Sequence, residues 1–249
     1  MLVVGHPGHE LRVYGWLTTA GPVVHVLTDG SGRDGTSRID STSALLDGVG
    51  ATRGSIYGRM TDREIYGAIL ANDHARFIAL ADELATELVR DNVTIVAGDA
   101  VEGFNPSHDV CRYVINAAVR LASNGSARPI ACYAFPLDGA PDCGCEAAVH
   151  VHLDEAMLER KLQAAHSYTE LRAEVQRTLD RFGPEPFKTE CLCPVDLSDR
   201  YGWDPDRIPY YESCGAERVA SGTYQHVVTF RDHAKPLADA LWCHSAGTH

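Results

Sequence analysis

Leu2-Val3-Val4-Gly5-His6-Pro7-Gly8-His9-Glu10 decides the fold class of this chain. Three apolar residues, two of them β-branched, make a run that suits a short buried strand better than a helix. Gly5, Pro7 and Gly8 end it in a turn, and Glu10 to Thr19 reads as the helix that follows. Val23 to Leu27 is a second buried strand. Asn72 to Arg90 reads as a helix with Phe77, Leu80, Ala81, Leu84 and Leu88 on one stripe. Val93 to Ala97 is another strand, and Asp109 to Leu121 another helix. This alternation predicts a Rossmann-like α/β fold, a mostly parallel sheet flanked by helices.

The second half is less regular. Ile130 to Phe135 and Ala147 to His152 read as strands, and Glu155 to Arg181 as one long charged helix stopped by Gly183-Pro184. Residues 183–249 read as an irregular extension with a last strand at Tyr224 to Phe230. No linker or repeat divides the sequence, so residues 1–249 are expected to be a single domain. The 249 residues, 45% of them hydrophobic, suffice for one sizeable core.

With 22 Lys and Arg against 34 Asp and Glu, the formal charge is -12. Such a surface repels polyanions, so neither nucleic acid nor an anionic membrane is the expected partner. A small-molecule substrate is expected, and homo-oligomerisation stays open. No run approaches the roughly 18 apolar residues of a membrane span, and no secretory leader is read at the start, which gives a cytoplasmic expectation. The eight cysteines, among them the pairs Cys143-Gly144-Cys145 and Cys191-Leu192-Cys193, read as reduced thiols rather than a disulfide framework or a second metal site.

Ligands of open α/β sheets sit at the carboxyl ends of the strands. His6 and His9 lie in the turn after the first strand, and His108 in the turn after the strand at 93–97. If those strands are neighbours, the three imidazoles converge. Three such ligands with an open fourth position suit a catalytic Zn²⁺ or another divalent metal.

Val3 to Glu10 resembles the Ala-His-Pro-Asp-Asp-Glu signature of the PIG-L/LmbE-like N-acetylglucosaminyl deacetylases. Further segments resemble that family in the same order. They are Val26-Leu27-Thr28-Asp29-Gly30, the helix from Arg38 to Ala51, Asp99 to His108, and Lys161 to Tyr168. The resemblance implies a zinc-dependent hydrolase that removes an acetyl group from an N-acetylated amino sugar or glycoconjugate. By that resemblance His6, His9 and His108 would hold the metal, with His9 standing where the family has Asp. Gly8 replaces the family's general base, and Asn105 its oxyanion-stabilising His.

Three explanations follow from those departures. Another carboxylate acts as base, with Glu10, Asp99, Glu102 and Asp109 as candidates, although Glu10 and Asp99 equally suit orienting the histidines. Alternatively a tris-histidine zinc hydroxide hydrolyses a different bond. Or the chain is a catalytically silent binding relative. Asn105 would assist an oxyanion. Arg33, Arg38 and Phe104 are the candidate substrate contacts, Phe104 by packing against a sugar face.

Overall fold

A computed structural model describes residues 1–32, 35–124, 129–139, 144–145 and 148–247. Seven strands form the sheet: β1 (Leu2–Val4), β2 (Val23–Thr28), β3 (Thr52–Met60), β4 (Ile95–Asp99), β5 (Ala131–Phe135), β6 (Val149–His152) and β7 (Thr189–Pro194). Their order is β3-β2-β1-β4-β5-β7-β6. β1 runs parallel to both β2 and β4, and β2 parallel to β3, whereas β7 pairs antiparallel with β5 and β6. The mostly parallel, helix-flanked α/β fold expected from the sequence is therefore present. So is the condition on which the histidine argument turned, since Leu2 and Val3 pair with Ala97 and Gly98.

The chain packs as two compact units. The first comprises Met1–Asp62, Ala97–Asp99 and Tyr133–Pro194. It holds most of the sheet together with α1 (Tyr14–Ala20), α2 (Ile39–Val49), α6 (Glu155–Ser167) and α7 (Arg172–Phe182). Leu2, Val4, Val24, Val26 and Ala97 are fully buried with Leu17 and Leu46 in its core, so both faces of the central strands are covered. That is why these strands read as mostly apolar runs, broken in β2 only by the buried His25.

The second unit comprises Arg63–Val96, Ala100–Cys132 and Val195–His249. It holds α4 (His74–Arg90), α5 (Pro106–Asn124), α8 (Tyr210–Ala220), α9 (Lys235–Ala246) and most of α3 (Asp62–Leu70). The predicted stripe on α4 is buried in full, and α4, α5 and α9 pack on one another. Asp73 caps α4 by accepting from the Arg76 N–H, the cap that the sequence at Asn72-Asp73 supplies.

Four expectations change. The helix expected over 155–181 breaks at Tyr168, which turns inward and is 2% exposed. Residues 183–249 carry β7, α8 and α9 rather than irregular chain. Tyr224 to Phe230 joins no sheet; Thr229 instead caps a single π-helical turn, Phe230–Ala234, by accepting from the Asp232 N–H. Cys191 and Cys193 are disulfide-bonded, while Cys111, Cys132, Cys145, Cys214 and Cys243 form no disulfide. Cys143 lies outside the described residues. Among the described residues no helix is long and apolar enough to cross a membrane.

Candidate active site

In the first unit the turn after β1 is built around two histidines whose Nδ1 atoms each meet a carboxylate. His6 Nδ1 lies 2.9 Å from Asp62 Oδ1 and 2.7 Å from Thr28 Oγ1. Thr28 Oγ1 in turn donates to the Gly5 carbonyl. His9 Nδ1 lies 2.9 Å from Asp99 Oδ2, which also accepts from the Gly5 N–H at 2.8 Å. A carboxylate accepts only, so both rings carry a proton on Nδ1 and turn Nε2 to the other side. The rings stand edge to face with centroids 5.3 Å apart.

Electrostatics reinforce this arrangement. Burial pushes the Asp62 carboxyl up, but His6 beside it and the Gly32 N–H outweigh it and hold Asp62 well below the usual carboxylate range. Burial pulls His9 down, and Asp99, Glu10 and Glu174 more than reverse it, making His9 more basic than an ordinary histidine. A carboxylate on the far nitrogen is what orients an imidazole and strengthens it as a metal ligand. The donor chemistry of His6 and His9 thus fits a divalent metal. Among the described residues no group of three or more His, Cys, Asp or Glu forms a complete ligand set.

Glu10 is fully buried beneath the turn. Its Oε2 accepts from the Gly8 N–H at 2.7 Å and its Oε1 from Thr42 Oγ1 at 2.8 Å, with the Tyr168 hydroxyl 2.6 Å from that Oγ1. Burial raises its carboxyl above the ordinary value. Both oxygens are therefore spent on shaping the turn. Gly8 itself has φ of +104°, and a Cβ there would sit 2.3 Å from Leu171 Cδ1. The space beside Gly8 is thus taken by Leu171, from the turn between α6 and α7, rather than left open. Gly8→Asp is expected to cost about 2–4 kcal/mol in strain and overpacking and to add no hydrolytic activity. Chemical denaturation and an amide-hydrolysis assay check this; a variant as stable as the parent would contradict the steric account.

In the second unit the remaining candidates cluster at the start of α5. Asn105 is its N-cap, with Oδ1 accepting from the Ser107 N–H at 2.9 Å, and Pro106 stands at the first helical position, where its missing N–H costs nothing. His108 is in the first turn and is 8% exposed. Asp109 is buried with Oδ1 accepting from the N–H groups of Glu102 and Gly103, so it fixes the loop rather than facing a substrate. Phe104 is exposed and stacks on Tyr210 with ring planes 7° apart.

Arg38 belongs to the first unit, half-buried beside Gly30 and Gly32, so it borders the loop whose Gly32 N–H donates to Asp62. Arg33 lies outside the described residues. The structure thus brings His6, His9, Glu10 and Asp99 together in one unit, and Glu102, Phe104, Asn105 and His108 together in the other. Thr28 and Asp62 were not foreseen as site residues. Thr28 ends the second apolar strand and could have been suspected from its place there; Asp62 carries no local signal.

No protein-family model and no curated protein matches the sequence. Solved structures do match in shape. The chain superposes on the zinc-inhibited form of a teicoplanin deacetylase with a TM-score of 0.53 and 14% identity, covering 78% of this chain and 98% of that one. With the A40926 pseudoaglycone deacetylase the TM-score is 0.54 and the identity 20%, over 82% and 98% of the two chains. The chain has the fold of these deacetylases. A third match, a deacetylase of the teicoplanin biosynthesis pathway in complex with bog, has a TM-score of 0.52 at 16% identity, over 78% and 98%. At these identities the likeness establishes architecture; the chemistry has to come from the residues.

Proposed function

We propose that this protein is an atypical PIG-L/LmbE-like hydrolase that holds Zn²⁺ through His6, His9 and His108 and deacetylates an N-acetylated amino sugar or glycoconjugate. The observation that carries the reading is the pair of carboxylate-anchored imidazoles, His6 with Asp62 and His9 with Asp99, at the carboxyl end of β1. Structural histidines seldom need such anchoring twice within four residues, whereas metal ligands regularly have it. The shared deacetylase fold supports the reaction class, and by their names those neighbours are deacetylases of teicoplanin and of the A40926 pseudoaglycone.

A bound zinc would polarise the amide carbonyl and lower the pKa of its water to about 7. The chain's own residues supply the rest. Asp62 and Asp99 hold the imidazoles in one tautomer. Asn105 spends its Oδ1 on the α5 cap, which leaves its Nδ2 as a donor for a developing oxyanion. Glu10 and Asp99 are fully buried, and Glu102 is only partly so. Glu102 is therefore the proton acceptor in this scheme, with Glu10 and Asp99 as positioning residues. Arg38 and Phe104 are the contacts for the rest of the substrate.

Metal analysis of the purified protein and of His108→Ala tests this, together with hydrolysis of a panel of N-acetylated amino sugars. One zinc per chain, lost or strongly weakened in the variant, and turnover abolished with it, is the expected outcome. A metal-free protein with its histidines intact sinks the ligand set. Bound zinc with no turnover on any amide instead identifies a silent relative, a reading that the glycine at position 8, beside Leu171, favours.

A further inference from the structure

In the first unit β6 and β7 form an antiparallel pair in which His150 faces Cys191, Val151 faces Glu190 and His152 faces Thr189. Side chains alternate along a strand, and directly opposed residues of an antiparallel pair share a face. Val151, Glu190 and Leu192 therefore point one way, into the packed interior where Glu190 meets Lys161. His150, His152, Cys191 and Cys193 share the other face. Imidazole nitrogens and cysteine sulfurs gathered in this way are the donors that a thiophilic divalent metal takes.

The spacing supports that reading. Cys191 Sγ lies 3.7 Å from His150 Nε2. Zinc bonds of about 2.3 Å to sulfur and about 2.0–2.1 Å to nitrogen, at a tetrahedral angle, set two such ligands about 3.6 Å apart. The cross-strand pair already stands at that separation. Cys191 is 2% exposed and His150 is exposed, so the pair reaches from the interior to solvent. Cys193, two residues further along β7, puts a second sulfur on the same side. His152 is engaged elsewhere: its Nδ1 lies 3.1 Å from Thr189 Oγ1, and its ring runs nearly parallel to that of His150 with centroids 6.3 Å apart.

Cys191 and Cys193 are disulfide-bonded in this structure, and a sulfur in a disulfide has no thiolate to offer a metal. In this oxidised state no complete ligand set exists among the described residues.

We propose that Cys191, Cys193 and His150 form a redox-gated Zn²⁺ site, closed while the cysteines are oxidised and opened by their reduction. The reductant is a dithiol. For each S–S bond that opens, it gives two electrons and two protons and closes to its own disulfide. The released thiols then lose their protons as they bind the metal. Three protein ligands leave the fourth tetrahedral position to water. Since β6 is the last strand of the sheet, a metal held by both strands fastens that edge. The site shares no residue with the histidine turn and does not depend on the hydrolase reading.

The test titrates the full-length protein with Co²⁺, a spectroscopic stand-in for Zn²⁺, before and after reduction by a trialkylphosphine. The phosphine opens disulfides without adding thiolate ligands of its own. Thiolate ligation gives cobalt a near-ultraviolet charge-transfer band that imidazole ligation does not, so metal bound through histidines alone stays silent. No band is expected from the oxidised protein. After reduction a band should grow, saturate at one Co²⁺ per chain and disappear when Zn²⁺ is added. Cys191→Ser combined with Cys193→Ser should abolish it. His150→Ala, at an exposed position, should weaken cobalt binding by about tenfold or more and leave the far-ultraviolet dichroism unchanged. Cys243→Ser should keep both the band and its midpoint. A reduced protein without the band overturns the proposal, as does a band that survives the double serine change, or His150→Ala binding cobalt at parental affinity.

Discussion

Asp99→Ala is expected to lower zinc affinity by about 10–100-fold and to destabilise the fold by about 2–4 kcal/mol. The two effects have separate origins in one carboxylate. Asp99 ends β4 with its side chain fully buried, and its Oδ2 accepts from the Gly5 N–H across the strand pair and from His9 Nδ1. Removing it strands a backbone donor in a dry interior, which sets the stability loss. It also frees His9 to rotate and to change tautomer, which sets the loss of affinity. Asp99→Asn separates the two, because its carbonyl oxygen can still accept from one donor while its charge is gone. Chelator competition gives the affinity and urea denaturation the stability. An Asp99→Ala protein that binds zinc like the parent would show that His9 is not a ligand whose orientation Asp99 controls.

What the sequence made legible follows from burial. β1 and β2 are covered on both faces, so their residues are apolar but for the buried His25 and the terminal Thr28 of β2, and they read as strands at once. The α4 stripe is equally plain because one face of a 17-residue helix is sealed. β3 was missed for the opposite reason. It is an edge strand in which only Ile56 and Met60 are buried, and Thr-Arg-Gly-Ser at its start gives no apolar run to detect. β7 was missed because it buries Glu190 among its inward residues, and a charge at a core position hides the strand pattern. The break at Tyr168 was invisible because its cause is a tertiary contact, the approach of its hydroxyl to Thr42, 126 positions away.

The candidate site divides along the same line. The histidines of the β1 turn announced themselves because both fall in one six-residue motif. Their orienting carboxylates did not, since Asp62 is 56 positions and Asp99 90 positions from the rings they hold. Gly8 was legible as a turn glycine, but Leu171, which lies where its side chain would be, is distant in sequence and next to the helix break that was itself unforeseen. Two features favour glycine there together: the left-handed φ of +104°, and the Leu171 side chain that lies where a Cβ would stand.

Lys161→Met is expected to be the most damaging single change outside the histidine turn, costing about 3–5 kcal/mol, or a fall in melting midpoint on the order of 10 °C. Lys161 Nζ donates to Glu190 Oε1 at 2.8 Å and to the Arg12 carbonyl at 3.3 Å, with the ammonium and the carboxylate both buried. Glu190 also accepts from the N–H groups of Gly15 and Trp16, two of the donors that the first turn of α1 leaves without intrahelical partners. One carboxylate thus joins β7 to the start of α1, and one ammonium joins α6 to both. Burial presses Lys161 toward its neutral form, and Glu190 is what keeps the charge tolerable there. Methionine would fill the volume but leave a buried carboxylate facing two backbone amides and no cation. Lys161→Met combined with Glu190→Gln removes both charges and should recover part of the loss, because an uncompensated buried charge costs more than an absent pair. Thermal and denaturant melts of the two variants decide the matter: a single variant within about 1 kcal/mol of the parent, or a double variant worse than the single by several kcal/mol, would mean that the ion pair is not what ties these three elements together.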